Sequence, residues 1–456
     1  MTSRRDFLAA SAALAASRLP PARLIGGRHA AERPRPTASQ LEWQRDELAM
    51  FLHFGVNTFS DREWGDGKED PAIFNPSALD ARQWTRAAKA AGFKTAILTA
   101  KHHDGFCMWP SSVTDHSVAK SPFRGGNGDV VREFTDACKA DGLKAGLYLS
   151  PWDRNAPVYG DIPRYNDMYA AQLTELLTRY GTIHEVWFDG ANGEGPNGKK
   201  QTYDWPRVHA IVRKLQPKAV MFSDAGPDVR WIGNENGSAG ETNWSTVDPS
   251  VVQAPGVSGP GVTKMLQQGD PNGSVWRPGE TDVSIRPGWF HHAAEDARVR
   301  SVDNLVSLYF SSVGRNSKLL LNVPPTRQGL LHDVDVERLA GMRRMLDTLF
   351  ATDLARNGKE SHRINDRGAT IEVDLRQPTS VGFVALSEPI ERGQVVARYL
   401  VEGHDGSNWR TLARGTTIGY SKLDRFPAVS VQRVRLTIED ALAKPNGVRI
   451  RLYSGS

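Results

Sequence analysis

The chain is poor in cysteine, with only Cys107 and Cys138 among its 456 residues. Two cysteines allow at most one disulfide, so a small fold held together by several bridges is excluded. The two residues fall in different predicted elements. We therefore predict two buried thiols that pack as small apolar groups.

The chain also lacks a basic surface, although its 57 Lys and Arg outnumber its 52 Asp and Glu. The first thirty residues hold five arginines and one aspartate, and they account for four of the five net positive charges. The remainder offers no basic stripe to a phosphate backbone, so we expect no nucleic-acid partner. With 39% hydrophobic and 24% charged residues, the composition is that of a globular protein, and disordered or collagen-like classes are excluded.

No apolar run is long enough to cross a membrane, since the run at residues 9–16 is about half the necessary length. It follows Ser3-Arg4-Arg5-Asp6-Phe7-Leu8, a pattern typical of the twin-arginine (Tat) export signal. We predict that residues 1–31 are a Tat-type signal peptide and linker, cleaved between Ala16 and Ala31. The mature protein is then expected to be periplasmic or secreted, without a membrane anchor. The competing interpretation is a frayed helix on a cytoplasmic protein.

Between residues 40 and 348, short apolar strands alternate with amphipathic helices, which predicts a parallel sheet covered by helices. No Gly-x-Gly-x-x-Gly follows the first strand, so a doubly wound nucleotide-binding sheet is disfavoured. We predict an α/β fold with a (β/α)8-like TIM barrel over residues 38–352. Residues 224–287, rich in Gly, Pro, Asn and Trp, contain elements that cannot be assigned. The predicted strands are 50–54, 95–99, 145–149, 185–188, 219–222 and 319–322.

After about residue 356 the apolar period falls to two, which is typical of half-buried antiparallel strands. Val434, Leu436 and Ile438 alternate with polar residues, and turn sequences separate the runs. We predict a second domain, a C-terminal antiparallel β-sandwich over residues 358–456. Trp409 and Tyr420 are its candidates for an exposed sugar-binding surface, and simple packing of the sandwich against the barrel is the alternative.

Polar residues follow four predicted barrel strands at their carboxyl ends, where barrel enzymes carry their chemistry. The residues are His53, His102 with His103, Asp153 and Asp189. Asp189 by itself could be a nucleophile, a base, a metal ligand or a helix cap. Four such strand ends around one mouth, interleaved with Trp and Phe, indicate a sugar pocket instead, because aromatic faces stack on sugar rings and imidazoles bind hydroxyls.

Several motifs in one order resemble the retaining α-L-fucosidases of glycoside hydrolase family 29. The resemblance covers nearly the whole mature chain, and the C-terminal region resembles that family's accessory β-sandwich, which is galactose-binding-like. The matching motifs are His53-Phe54-Gly55, Trp64 with Gly67-Lys68-Glu69-Asp70-Pro71, Lys101-His102-His103-Asp104-Gly105-Phe106, Trp187-Phe188-Asp189-Gly190, Trp231-Ile232-Gly233-Asn234-Glu235, Ile285-Arg286-Pro287-Gly288-Trp289-Phe290, and the segment from Gly314 to Asn322.

The resemblance implies roles for individual residues. Asp189 matches the nucleophile, and Glu235 is our choice for the acid/base, with Glu241 and Glu280 as alternatives in the same irregular stretch. Trp289 or Phe290 would meet the 5-methyl group of fucose. The residues expected to bind substrate are His53, Trp64, Glu69, His102, His103, Trp187 and Trp289.

The resemblance further implies an exo-acting enzyme without a cofactor that removes terminal L-fucose from an oligosaccharide or glycoconjugate. A retaining mechanism requires the two carboxyl groups about 5–5.5 Å apart. The Gly233-Asn234-Glu235 context favours α-1,3/1,4 linkages. The alternatives are a broad-specificity α-L-fucosidase and a catalytically silent, lectin-like fucose-binding protein.

Metal catalysis is the main competing chemistry, because His102-His103-Asp104 and His291-His292 are dense in metal-ligating types. Adjacent residues at a strand end point in opposite directions, so we expect His102 and His103 not to share an ion. No His-x-x-x-His or Cys-x-x-Cys supports a metal site, and no Gly-x-Ser-x-Gly supports a serine nucleophile. We predict no metal.

Overall fold

Parallel strands close into an eight-stranded barrel in this computed structural model, which describes residues 32–455. The strands up to the end of the barrel are β1 (Leu48–Leu52), β2 (Thr95–Lys101), β3 (Lys144–Leu149), β4 (Glu185–Trp187), β5 (Val220–Ser223), β6 (Val229–Trp231), β7 (Thr246–Val247), β8 (Val275–Trp276), β9 (Gly279–Ser284) and β10 (Ser317–Asn322). The order around the barrel is β1 to β6, then β9 and β10, and β10 pairs with β1. The predicted barrel is confirmed.

Aspartates begin several of the helices that cover the barrel. Asp80, Asp129, Asp161 and Asp204 each accept a hydrogen bond from a backbone amide of the following turn, which satisfies a donor that has no partner within the helix. The helices are α1 (Ala38–Asp46), α2 (Val56–Ser60), α3 (Ala81–Ala90), α4 (Val130–Asp141), α5 (Ile162–Arg179), α6 (Trp205–Leu215), α7 (Pro260–Gln268), α8 (Val302–Ser311) and α9 (Asp333–Leu349). Gly142, at a φ of 74°, ends α4 in the left-handed conformation that glycine favours.

Strands β6 and β9 lie in the region that the sequence left unassigned. β6 has only three residues and follows β5 without a helix, and β7, β8 and α7 interrupt the chain before β9. In β9, Glu280 and Asp282 are buried at alternate positions. These carboxyl groups interrupt the apolar run that identifies a strand of a parallel sheet. The sequence pattern therefore did not predict β9.

The barrel interior combines an aromatic layer with buried charges. Trp43 of α1 donates its indole N–H to Glu185 at 3.0 Å, and Lys318 lies 3.3 Å from the same carboxylate. Both charged side chains are almost completely buried, so each satisfies the other where water is absent. The interior apolar residues are Trp43, Ala49, Phe51, Ile97, Tyr148, Trp187, Val220, Phe222, Val229 and Leu320.

The C-terminal strands form one antiparallel sheet: β11 (Lys359–Ile364), β12 (Ala369–Ser387), β13 (Val396–His404), β14 (Trp409–Gly415), β15 (Lys422–Ala441) and β16 (Arg449–Tyr453). The long strands β12 and β15 shift register between Asp374 and Thr379 and again between Val381 and Phe383. Apolar residues on both sides of these shifts share a single core. The strands therefore bend around one core, as in a β-sandwich, and the predicted C-terminal antiparallel β domain is confirmed.

The sandwich and the barrel share a hydrogen-bonded contact centred on the buried Asn316. Its amide donates to the Asn243 carbonyl at 3.0 Å and accepts from the Tyr420 backbone at 2.8 Å. The hydroxyl of Tyr420 donates to Glu47 at 3.0 Å. Tyr420 therefore belongs to this contact, whereas Trp409 packs beside the Arg435 guanidinium, 4.1 Å from the ring centroid.

Three further expectations concern the chain as a whole. Cys107 and Cys138 are buried free thiols, as predicted. Within residues 32–455, no helix is long and apolar enough to cross a membrane. The predicted signal peptide lies outside the described residues.

Candidate active site

Four consecutive barrel strands deliver polar side chains to one mouth. His53 follows β1, His102 and His103 follow β2, Tyr148 lies near the end of β3, and Asp189 follows β4. In a parallel barrel the carboxyl ends of neighbouring strands lie side by side. Ring contacts confirm this neighbourhood: the centroids of His53 and His102 lie 5.5 Å apart, and those of His102 and Tyr148 lie 5.8 Å apart.

Asp189 is buried at this mouth, with a relative exposure of 6%. Its Oδ2 accepts a hydrogen bond from the Tyr148 hydroxyl at 3.2 Å, and its Oδ1 accepts one from the backbone amide of Ala191 at 2.7 Å. The imidazole Nε2 of His103 lies 3.8 Å from Oδ2. Two donors from different parts of the chain thus hold the carboxylate in one orientation.

His53 is a neutral histidine whose tautomer follows from its neighbours. The amide Nδ2 of Asn322 donates a hydrogen bond to the Trp289 carbonyl at 2.8 Å, which orients its Oδ1 toward His53. That Oδ1 accepts a hydrogen bond from the His53 Nδ1 at 2.8 Å. Burial lowers the pKa of His53 to about 4 despite this hydrogen bond. With Nδ1 protonated, Nε2 is a hydrogen-bond acceptor, suited to a sugar hydroxyl.

His102 and His103 lie side by side, with ring centroids 4.1 Å apart. The expectation that they point in opposite directions is wrong, because β2 ends at Lys101 and the alternation of a strand no longer applies. The Nδ1 of His103 donates to the Ser150 hydroxyl oxygen at 2.7 Å, since that hydroxyl itself donates to the Trp152 carbonyl. No group of three His, Cys, Asp or Glu within residues 32–455 could hold a metal ion.

Trp187 forms the floor of the mouth. Its ring stacks on Phe222 at a centroid distance of 4.1 Å, and its indole N–H donates to Glu280 at 3.0 Å. Burial raises the pKa of Glu280 well above its ordinary value, and the neighbouring Glu185 carboxylate adds to the rise. This shift favours the neutral form of Glu280, and its hydrogen bond orients the Trp187 indole.

Tryptophans form two walls of the mouth. The ring centroid of Trp64 lies 6.1 Å from that of His103 and 5.9 Å from that of Trp152, both in edge-to-face geometry. The Trp64 residue is 38% exposed. Trp289 lies 5.1 Å from His53. The aromatic surface therefore surrounds the histidines, as a sugar pocket requires.

Glu69, predicted to bind substrate, uses both carboxylate oxygens within its own loop. They accept the backbone amides of Asp66 at 2.6 Å and Gly67 at 2.9 Å, and the side chain is buried. Burial of Asp104 raises the pKa of that carboxyl to about 7, and the nearby Glu69 carboxylate adds to the rise. Glu69 thus shapes the loop that carries Trp64.

The two remaining acid/base candidates lie in different places. Glu241 forms ion pairs with Arg315 and Lys422, and Arg315 lies two residues before β10, at the amino ends of the strands. Glu241 is therefore at the end of the barrel opposite to the mouth. Glu235 is half-buried on the loop after β6, and Trp231 at the end of β6 donates its indole N–H to Asp282 at 2.8 Å.

Sequence reasoning did not assign Tyr148, Asn322 and Trp152 to the site. Tyr148 is the one polar side chain in the predicted strand at residues 145–149, a signal that could have identified it. Asn322 ends one of the matching motifs, and Trp152 precedes Asp153 after a predicted strand. Neither could be assigned to the site, because the contacts of both residues join segments that are distant in sequence. Asp153, also noted, instead pairs with the buried Lys101 at 3.0 Å.

Comparison with known proteins gives a consistent result. The model of the family described as Alpha-L-fucosidase matches residues 43–348. Alpha-L-fucosidase 1 of Arabidopsis thaliana is 42% identical, over 93% of this chain and 89% of the plant protein.

Solved structures agree with the sequence relatives. A glycoside hydrolase 29 family member from an unknown rumen bacterium aligns with a TM-score of 0.87 at 41% identity, over 93% of this chain and 78% of that chain. A Ruminococcus gnavus GH29 fucosidase in complex with fucose aligns with a TM-score of 0.84 at 30% identity, over 94% of this chain and 97% of that chain.

Glu280→Gln tests the assignment of Glu280 as a neutral support. A glutamine keeps an acceptor for Trp187 and offers a donor toward Glu185, so kcat/KM on an α-L-fucosyl oligosaccharide, whose leaving oxygen must be protonated, should stay within about fivefold of wild type. A general acid lost at this position would instead lower the rate about 10²–10⁴-fold. Such a loss, with an unchanged melting temperature, contradicts the assignment.

Proposed function

The chain belongs to the α-L-fucosidase family, glycoside hydrolase family 29, and from this membership we propose an exo-acting, retaining enzyme that removes terminal α-linked L-fucose by double displacement. The observation that carries the proposal is the buried Asp189 carboxylate, held by Tyr148 and Ala191 among the histidines and tryptophans of the mouth. A nucleophile must be presented in one orientation to a bound sugar.

In the first step, an oxygen of Asp189 attacks the anomeric carbon and the glycosidic C–O bond breaks. The bonding electrons pass to the leaving oxygen, which takes a proton from Glu235. In the second step, Glu235 removes a proton from water, the water oxygen attacks the same carbon, and the bond to Asp189 breaks. Two inversions return the α configuration.

Glu235 is proposed as the acid/base for two reasons. Its sequence context resembles that of the family, and its loop leaves the barrel at the carboxyl end of β6, at the mouth. Glu280 accepts a hydrogen bond from the Trp187 indole. Glu241 forms ion pairs with Arg315 and Lys422 at the end of the barrel opposite to the mouth. These contacts support Glu235 over both alternatives.

We propose that the pocket binds fucose. In support, the solved structure of the Ruminococcus gnavus relative is a complex with fucose. The Nε2 of His53 would accept a hydroxyl proton, and the adjacent His102 and His103 would bind further hydroxyls. Trp289 and Phe290, which both face His53, provide an apolar surface for the 5-methyl group.

We propose α-1,3/1,4-linked fucose as the substrate, on the resemblance of Gly233-Asn234-Glu235 to that subgroup. A panel of oligosaccharides with α-1,2, α-1,3, α-1,4 and α-1,6 fucose should lose fucose only from the α-1,3 and α-1,4 members. Release from all four would indicate broad specificity. Saturable fucose binding without any turnover would indicate a lectin-like protein.

We also propose export through the Tat pathway, on the twin arginine at Arg4 and Arg5 before a short apolar run. The chain should be recovered from the periplasmic fraction or the medium. Recovery from the cytoplasm alone would contradict the proposal.

Asp189→Gly should lower kcat on 4-nitrophenyl α-L-fucoside by more than about 10³-fold, because no covalent intermediate can form. Azide fits the space of the missing carboxylate and should restore part of the turnover, with β-fucosyl azide as the product. Asp115→Gly, which removes an exposed carboxylate, is the control and should keep full activity. Full activity of Asp189→Gly would remove Asp189 from the nucleophile role.

Glu235→Ala should affect substrates according to their leaving groups. Oligosaccharides need a protonated leaving oxygen and should react about 10²–10⁴-fold more slowly, whereas 4-nitrophenolate departs with little help. Comparing kcat/KM for the two substrate types is the measurement. An equal loss for both, or this pattern in Glu280→Ala, would show that the acid lies elsewhere.

A further inference from the structure

Glu63 binds the backbone of the segment that carries Trp289 and Phe290. Its Oε2 accepts the Trp289 backbone amide at 2.8 Å, and its Oε1 accepts the Phe290 amide at 3.0 Å. The same Oε1 accepts a hydrogen bond from the Nε2 of His292 at 2.8 Å. One carboxylate thus holds three donors of the segment 289–292, which lies 226 or more positions away in sequence.

His292 lies between two carboxylates. Its Nδ1 is 2.7 Å from Asp61 and its Nε2 is 2.8 Å from Glu63. Both ring nitrogens must donate to satisfy both acceptors, which requires the imidazolium form. The hydrogen bonds to Glu63 and Asp61 accordingly raise the pKa of His292 to about 9, against the effect of burial.

The approach of Glu63 to the loop leaves no room for a side chain at Gly288. A Cβ there would lie 2.4 Å from the Glu63 Oε1, and the Gly288 amide donates instead to Glu295 at 3.0 Å. This close approach is what allows the carboxylate to reach two adjacent amides.

The residues that Glu63 holds form one wall of the mouth. The Trp289 ring lies 5.1 Å from His53, and the Phe290 ring lies 5.0 Å from His102. Glu63 also directly precedes Trp64, which contacts His103. Asp61, Glu63 and His292, which we call the carboxylate–histidine clamp, thus join the loops that carry the two tryptophan walls.

We propose that Glu63 and His292 are positioning residues that set the affinity for the fucosyl group by holding Trp289 and Phe290 against the histidines of the mouth. The inference rests on the proposed function, since it assumes that fucose occupies the mouth. Neither residue is required to touch the sugar. Their contribution passes through the backbone of the loop, where a charged acceptor makes stronger hydrogen bonds than a neutral one.

Glu63→Gln tests the clamp directly. One glutamine oxygen can accept one amide, but its NH₂ group faces a second donor, so the loop must move. We expect KM for 4-nitrophenyl α-L-fucoside and the calorimetric Kd for L-fucose to rise about tenfold, with a smaller change in kcat. Glu133→Gln, which removes an equivalent carboxylate from a surface pair with Arg124, should change neither constant.

His292→Gln provides a second variant and a pH test. The folded pKa of His292 is raised, so the clamp is complete below about pH 6.5 and weakens as the pH rises through about 9. The wild-type Kd for fucose should rise across that range, whereas the variant should bind weakly and without this step. Other charged groups near the clamp are His291 and Arg327 beside Asp61, and Glu295 with Arg298 in the same loop.

The outcomes separate the clamp from the proposed function. Unchanged fucose affinity in folded Glu63→Gln and His292→Gln overturns the clamp, even if wild-type turnover is normal. Parallel pH profiles of wild type and His292→Gln overturn it as well. Wild-type fucose binding without turnover rejects hydrolysis, and weaker binding in both variants would still support the clamp.

Discussion

The parallel pairing of β1 with β10 is the contact on which the mouth depends, because it closes the sheet into a barrel. The register places Phe51 opposite Asn322. The amide of Asn322 then meets both the backbone and the ring of His53, 269 positions earlier in the chain. In an open sheet these two strands would lie at opposite edges, and the tautomer of His53 would have no fixed partner. Closure therefore determines both the arrangement of the strand ends and the protonation of the first histidine.

Beneath the mouth, the barrel interior is polar where apolar packing would be expected. Glu185, Lys318 and the indole of Trp43 satisfy one another, and burial raises the pKa of Glu280, which favours its neutral form. Buried charges are costly unless they are paired, so none of these groups can move independently. The consequence is a floor in which Trp187 is oriented by hydrogen bonding as well as by stacking.

His53 at the mouth and His292 in the clamp differ in charge state, and the physical reasons lie in their surroundings. His53 is enclosed by aromatic rings and an amide, and burial brings its pKa to about 4. His292 lies between two carboxylates, which bring its pKa to about 9. The first can accept a hydroxyl proton, and the second can hold two acidic side chains together. Residue type alone does not distinguish these states, because the shift comes from neighbours in space.

Apolar periodicity and polar strand ends were enough to predict from the sequence the barrel, the sandwich, and the grouping of Asp189 with the histidines, since each depends on a local pattern repeated along the chain. Strand β9 was not predicted, because Glu280 is buried at a position where a strand of a parallel sheet usually has an apolar residue. The sequence could not distinguish Glu235, Glu241 and Glu280 as acid/base candidates, because all three lie in one irregular stretch. Only the tertiary structure shows that Glu241 lies at the opposite end of the barrel. The contact between Glu63 and His292 was equally invisible, because they are 229 positions apart. Burial, pairing and charge state arise only when such distant segments meet, and so tertiary structure alone decided them.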